Sequence, residues 1–238
     1  MLQKPNRNNL STQVTDNLGR WILSGKAKSG DALPQEENLC NELGVSRTVV
    51  REAIKSLAAK GLVDSKPRRG TVVLPKQSWN YLDPQVLEWQ RVEDPHSTLP
   101  HHLTELRNAI EPAAAEMAAT QATEEDLEKI QSAYQSMASN TGNMEAYLAA
   151  DLAFHIAILH ATGNPLFIPI ANVVQASLQA SLRITNQTTL DNELSLPLHK
   201  EIAEALQARD AARAKQAMLT HMEDTAGRLV KIKSQQDV

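Results

Sequence analysis

Apolar residues recur at helical spacing in the first sixty positions, interrupted by two breaker-rich gaps. Val14, Leu18, Trp21 and Ile22 lie three to four apart behind a potential Ser11 cap, which predicts a helix to about Ser24. Gly25 and the stretch "SGKAKSGDALP" close it. Pro34 can open a second helix, "PQEENLCNEL", ended by Gly44. Ser46 caps a third to about Lys60, with Val50, Ile54 and Leu57 as its buried stripe and Gly61 as its stop. The period then falls to two. "LVDSK" and "TVVLP" alternate like short strands around the turn "PRRG". Asp83-Pro84 reads as a cap and first position of a further helix. From Leu99 onward nearly everything is helix-compatible, with breaks near Thr123, Thr141-Gly142, Gly163-Asn164-Pro165, Thr188 to Ser195, and Asp210.

The predicted fold class is therefore mostly α. An N-terminal winged helix-turn-helix domain would occupy residues 8–76, followed by a linker and first helix over 77–96. An all-α bundle of six or seven helices would span 97–234 and enclose a ligand cavity. A chain of 238 residues can bury two such cores. Aromatics at only 3% argue against a β-sandwich. Trp79, Tyr81 and Trp89 crowd into the linker, where they are expected to pack the first helix of the second domain, or else to transmit motion between domains.

Composition adds exclusions. Cys40 is alone, so no intrachain disulfide forms and a reducing compartment fits. The opening "MLQKPNRNNLSTQ" lacks a signal-peptide core, and no apolar run approaches the ~18 residues of a membrane span. A cytoplasmic protein without a membrane partner is expected. Charge is divided: up to Gln77 there are 13 Lys and Arg against 7 Asp and Glu, and thereafter 11 against 21. A basic front and an acidic back suggest that one end meets a polyanion.

That idea holds only if the cations share a surface. Arg47, Arg51 and Lys55 fall on an i, i+4, i+8 line opposite the apolar stripe of the third helix. Ser46 and Thr48 can donate to phosphate oxygens, and Arg can fork onto guanine. Arg68 and Arg69 sit at the wing tip. Each pair alone fits a solvated helix face equally well; turn, cationic line and basic wing in this order favour double-stranded DNA. The residues "LPQEENLCNELGVSRTVVREAIKSLAAKGLV" and "RRGTVV" resemble the GntR superfamily of bacterial repressors. The resemblance implies DNA contacts from Arg47 and Arg51, with Arg69 and Gly70 of the wing, and a homodimer on a short palindromic operator. The family often has arginine where Glu37 stands and glycine where Arg68 stands.

The second half carries different chemistry. Asp151 and His155 in "DLAFH" are i, i+4 and share a helix face, while His199 and His221 lie on two later helices among apolar neighbours. A carboxylate and three imidazoles suit a divalent metal, Zn²⁺ first and Ni²⁺ or Mn²⁺ next. Spacing does not establish convergence, so separately hydrogen-bonded histidines fit as well; His101, His102 and His160 occur with no such pattern. Residues from about Leu99 to Lys231 resemble the FadR C-terminal ligand-binding domain, whose metal-binding branch carries Asp-x-x-x-His and two later histidines. That resemblance implies the metal set Asp151, His155, His199 and His221, and a small carboxylate or hydroxy-acid effector. Arg107 could fork onto the effector's carboxylate or pair internally with Glu111, also i, i+4. Arg183, Gln179, Asn172 and Thr185 are further effector candidates. "SWNYLDPQVLEW" and "ELRNAIEPAAAEMAA" resemble one branch of that family; the resemblance points towards an aldonate such as galactonate or a related sugar acid, with lactate, hexuronates and other small hydroxy acids left open. A repressor rather than an enzyme is expected. The rival readings are a metal-dependent hydrolase with an appended DNA-binding domain, against which no HExxH occurs, and a direct metal sensor.

Overall fold

A computed structural model of the chain describes residues 9–66, 68–93, 99–185 and 189–236, without the side chains at 91–93, 100, 179–185, 189–191 and 229–236. The chain divides into two compact units, Met1–Ser97 and Thr98–Val238. The first holds α1 (Leu10–Leu23), α2 (Glu36–Leu43), α3 (Arg47–Ala59), β1 (Val63–Lys66), β2 (Gly70–Val73) and α4 (Pro84–Glu93). The strands form an antiparallel hairpin with Val63 opposite Val73 and Lys66 opposite Gly70. Ala32, from the connection between α1 and α2, bridges to Val72 on the other edge of β2.

Helix limits follow local chemistry. Ser46 caps α3 by accepting from the Val49 amide, as its position before "RTVV" implies. Gly44, at φ 68°, ends α2 in the left-handed region, so the chain turns sharply enough to set α3 across α2. Ser11 does not cap α1. The helix begins after Asn9, and the Ser11 carbonyl takes a hydrogen bond from the Thr15 hydroxyl. Val14, Leu18, Leu39, Val50 and Leu57 are fully buried and make one core with the wing residues Val63 and Val73.

The linker aromatics correct an expectation. Trp79 and Trp89 are buried in the core of the first unit rather than packing a helix of the second. Trp89 donates from Nε1 to Asp16 Oδ1 at 3.0 Å, and its ring lies so close to Gly19 that a Cβ there would sit 2.5 Å from ring carbons. Trp79 donates to the Leu74 carbonyl. Arg20 pairs with Glu88 beside this contact. The groove that Gly19 leaves in α1 is what receives α4, and a gap of 70 residues hides that match from the sequence pattern.

The second unit contains α5 (Leu99–Gln121), α6 (Glu124–Ser139), α7 (Met144–Ala161), α8 (Ile168–Thr185), α9 (Thr189–Gln207) and α10 (Ala211–Gln236). Thr123 and Asp126 form a reciprocal capping box at the start of α6, and Asn143 caps α7. The interval Thr188 to Ser195, expected as a break, is helical from Thr189, and α9 continues through Pro197. Proline removes the N–H that would bond the Glu193 carbonyl, but Glu193 and Pro197 are both exposed, where water can replace that bond. The core joins Ala114, Ala115, Ala118 and Ala119 of α5 with Phe154 and Ile158 of α7, Ile202 and Leu206 of α9, and Met218 and Met222 of α10. Small alanines let α5 approach its neighbours closely, which draws the polar residues on the same helices into the interior.

Candidate metal centre and nucleic-acid interface

In the second unit α5, α7, α9 and α10 each direct polar side chains inward. Asp151 and His155 come from one face of α7, His199 from α9 and His221 from α10, and none is more than 5% exposed. The four positions expected to bind metal are thus brought together. One ligand nitrogen from each histidine can be chosen so that all three lie within 4.8 Å of one another. Asp151 Oδ1 is 2.8 Å from His199 Nε2 and 3.3 Å from His155 Nε2. The rings of His199 and His221 are 4.2 Å apart at their centroids, and those of His155 and His221 are 5.2 Å apart and stacked.

Several of these groups approach closely without bonding well. His155 Nδ1 is 2.6 Å from Glu111 Oε2, yet neither ring nitrogen of His155 meets hydrogen-bond geometry. His221 Nδ1 is buried with no hydrogen-bond partner. Leaving such nitrogens unsatisfied costs about 1–3 kcal/mol each. Groups directed at a common centre rather than at one another would look this way. The donor set of three imidazoles and a carboxylate fits a divalent ion of the zinc, nickel or manganese kind.

Glu111 and Arg107, on α5, complete the buried cluster at 2% and 3% exposure. Arg107 Nε donates to Glu111 Oε1 and Nη2 to Oε2, so the i, i+4 pair is formed. Burial works against the Glu111 charge, but Arg107 and His155 outweigh it and hold the carboxyl down at about 2. Burial likewise opposes the charged form of Asp151, and His199 and His155 hold its pKa well below the usual range. His155 is pushed up to about 9: burial opposes the cation, and the carboxylates of Glu111 and Asp151 prevail. His221 moves the other way, because burial and the charges of His199 and His155 all disfavour its protonation. Tyr147, one turn before Asp151 on α7, is also buried, and its hydroxyl makes no hydrogen bond. The helical period places Tyr147 four residues before Asp151, a signal the sequence reading did not use.

Among the other effector candidates, Asn172 is half-buried on α8. The side chains of Gln179, Arg183 and Thr185 lie outside the described residues. Among the described residues, two external depressions of this unit are lined by residues such as Glu124, Gln131 and Gln207, or Leu198, Glu201 and Arg213, and these two contain no candidate ligand residue.

In the first unit the cationic line is exposed. The side chains of Arg47 and Arg51 are 65% and 63% accessible, each turned toward a carboxylate of α2: Arg47 lies 3.4 Å from Glu37, and Arg51 2.8 Å from Glu36. Exposed pairs of this kind contribute about 0–1 kcal/mol, so a phosphate or base edge can replace the carboxylates at little cost. Lys55 pairs with Glu52, while Ser46 and Thr48 are exposed at the start of α3. On the wing, Arg69 and Lys66 both approach Asp64, and their hydrogen bonds hold its carboxyl below the ordinary range. Arg68, at φ 66°, keeps a left-handed conformation that glycine adopts without a steric penalty, and Gly70 follows at φ 81°. The wing turn therefore places a charged side chain at a position of positive φ.

Comparison with known proteins gives these two surfaces a common context. Residues 10–73 match the model described as bacterial regulatory proteins, gntR family, and residues 102–224 match the FCD domain. The chain is 36% identical to the galactonate operon transcriptional repressor of Escherichia coli (strain K12) over 94% of this chain and 98% of that protein. It is 34% identical to the uncharacterized HTH-type transcriptional regulator YieP of the same strain, covering 89% and 93%. A Listeria monocytogenes structure described as Lar, controlling expression of the agr system, shares the fold with a TM-score of 0.66 at 21% identity over 95% of this chain and 99% of that one. No helix among the described residues is long and apolar enough to cross a membrane. A matched DNA-binding module at one end and an FCD domain over more than half the chain identify it: this protein belongs to the gntR family and is a transcription regulator, not an enzyme.

Proposed function

We infer that the protein is a repressor whose grip on a two-fold DNA site is relieved by a small sugar acid bound at a divalent metal. One observation carries the metal half of this reading: ligand atoms of His155, His199 and His221, from three helices, lie within 4.8 Å of one another, with Asp151 Oδ1 2.8 Å from His199 Nε2 and 3.3 Å from His155 Nε2. Burying such groups without a shared partner is costly, and a bound cation offsets the cost. Asp151, His155, His199 and His221 would hold the ion, which supplies a Lewis-acidic position for a carboxylate or hydroxyl oxygen.

The chain's own residues then define the ligand. Arg107 has five N–H donors and spends two on Glu111, leaving the rest for an acid's carboxylate. The buried hydroxyl of Tyr147, one turn before Asp151, makes no hydrogen bond and can accept one from a hydroxylated chain. A polyhydroxy acid satisfies this mixture better than a fatty acyl group. The similarity to a galactonate operon repressor supports an aldonate. On the DNA side, Arg47, Arg51, Ser46 and Thr48 would meet the major groove, and Arg68, Arg69 and Gly70 the adjacent backbone. A homodimer would present two such surfaces to a palindrome. Cytoplasmic residence follows from that role.

Release requires the acid to bind better to a state that fits DNA less well; equal affinity for both states would shift nothing. The test uses a duplex selected from random DNA by the protein itself, with binding followed by anisotropy. Chelated protein is titrated with Zn²⁺, Ni²⁺ or Mn²⁺, then with galactonate. Release only when both metal and acid are present is the expected result. Release by metal alone would replace the acid-responsive reading with a direct metal sensor.

A further inference from the structure

We propose that Glu111 is the positioning residue for the candidate metal ligand His155, and that it joins the candidate effector residue Arg107 to the metal. The proposal rests on the metal reading above and adds a residue to it. Glu111 is 2% exposed on α5; Arg107 donates to both of its carboxylate oxygens, Nε to Oε1 and Nη2 to Oε2, and Oε2 also lies 2.6 Å from His155 Nδ1. His155 presents its other nitrogen, Nε2, toward Asp151 Oδ1. The metal-binding form of imidazole is neutral and carries one proton; Glu111 Oε2, 2.6 Å from Nδ1, is nearer than Asp151 Oδ1, 3.3 Å from Nε2, so Nδ1 is the better-stabilised place for it. Glu111 therefore keeps the proton on Nδ1 and leaves the Nε2 lone pair to the ion.

His199 is arranged by the same logic with a different partner. Its Nδ1 is 3.0 Å from the Ser195 carbonyl, one turn back on α9, and its Nε2 faces Asp151. His155 has a carboxylate from another helix in that role, so its orientation depends on how α5 packs. The guanidinium of Arg107 holds both oxygens of that carboxylate. An acid that draws on Arg107 must then alter the hold of Glu111 on His155, and metal and acid affinities become linked in both directions.

Removing Glu111 alone would strand the buried Arg107, so the test replaces the pair. An Arg107→Met, Glu111→Leu chain exchanges a buried ion pair for apolar groups of similar volume, which folds tolerate well. An Arg107→Met, Glu111→Gln chain restores a carbonyl oxygen that can accept from Nδ1–H. Affinity for Zn²⁺ is measured in the full chain by competition with a chromophoric chelator, and Co²⁺ loading is followed by its visible d–d bands. The Leu variant is expected to bind metal about 10- to 100-fold more weakly than wild type, and the Gln variant to recover most of that loss. Wild-type affinity in the Leu variant would overturn the proposal, and so would equal losses in both variants. A wild-type chain that holds no equivalent of metal would sink the underlying reading and this inference with it. Retention of metal by wild type, lost on removing the acceptor, separates the two.

Discussion

His199 is fully buried, with Nδ1 committed to the Ser195 carbonyl and Nε2 placed 2.8 Å from Asp151. It has one nitrogen to offer, and that nitrogen faces Asp151 within the cluster. His199→Ala should therefore lose most bound metal by atomic-emission analysis and lose the response to acid. The selected duplex should still bind, because no DNA-facing side chain is touched; full metal occupancy would remove His199 from the ligand set. On the other unit, Arg47→Ala should weaken duplex binding by about 1–3 kcal/mol if Arg47 forks onto a base. Relaxed preference at one base position, scored by repeating the selection, would accompany that loss. Of these residues, Asp151 and His155 were legible as a pair because one helical turn relates them. Glu111 was legible only as the partner of Arg107. Its second partner lies 44 residues away, and the period of a single helix carries no information about that.

At the level of elements, α3 and its cap could be read almost to the residue, since Ser46, the stripe and Gly61 all signal locally. The placement of α4 could not: its apolar face is visible in sequence, but the notch at Gly19 that accepts Trp89 belongs to another helix. The pairing of α2 with α3 is the element-scale feature with a consequence for DNA. Two acidic residues of α2, Glu36 and Glu37, stand beside the two arginines of α3, and both are partly exposed. If Arg47 meets DNA as proposed, any phosphate that approaches it also approaches the Glu37 carboxylate, and repulsion between like charges would temper non-specific binding. Glu37→Gln keeps the shape of the side chain and removes that repulsion. It should raise affinity for random duplex more than for the selected site, so the ratio between them narrows. Glu37→Arg should go further, steepening the dependence of log K on log salt by about one unit per added phosphate contact. An unchanged ratio in Glu37→Gln would mean that the α2 carboxylates stand clear of the DNA path.

At the scale of the whole molecule, the division of charge matches a division of labour. The part up to Gln77 holds 13 basic and 7 acidic residues, the remainder 11 and 21, so attraction to DNA is concentrated at one end. The two units also have separate hydrophobic cores, and cooperative unfolding of the chain as one two-state system is not expected. Metal should then stabilise one unit and leave the other alone. In calorimetry of the chelated protein, adding Zn²⁺, Ni²⁺ or Mn²⁺ should raise the transition of the second unit and leave that of the first in place. A ligand at 100 times its dissociation constant adds about 2.7 kcal/mol to the state it binds, enough to move a transition by several degrees. Galactonate added after metal should raise the same transition again, and galactonate added without metal should do nothing. The order of addition is the informative variable. An acid that stabilises the metal-free protein equally would be held by Arg107 and the buried Tyr147 hydroxyl alone, and the converging donors would then serve the fold rather than the signal.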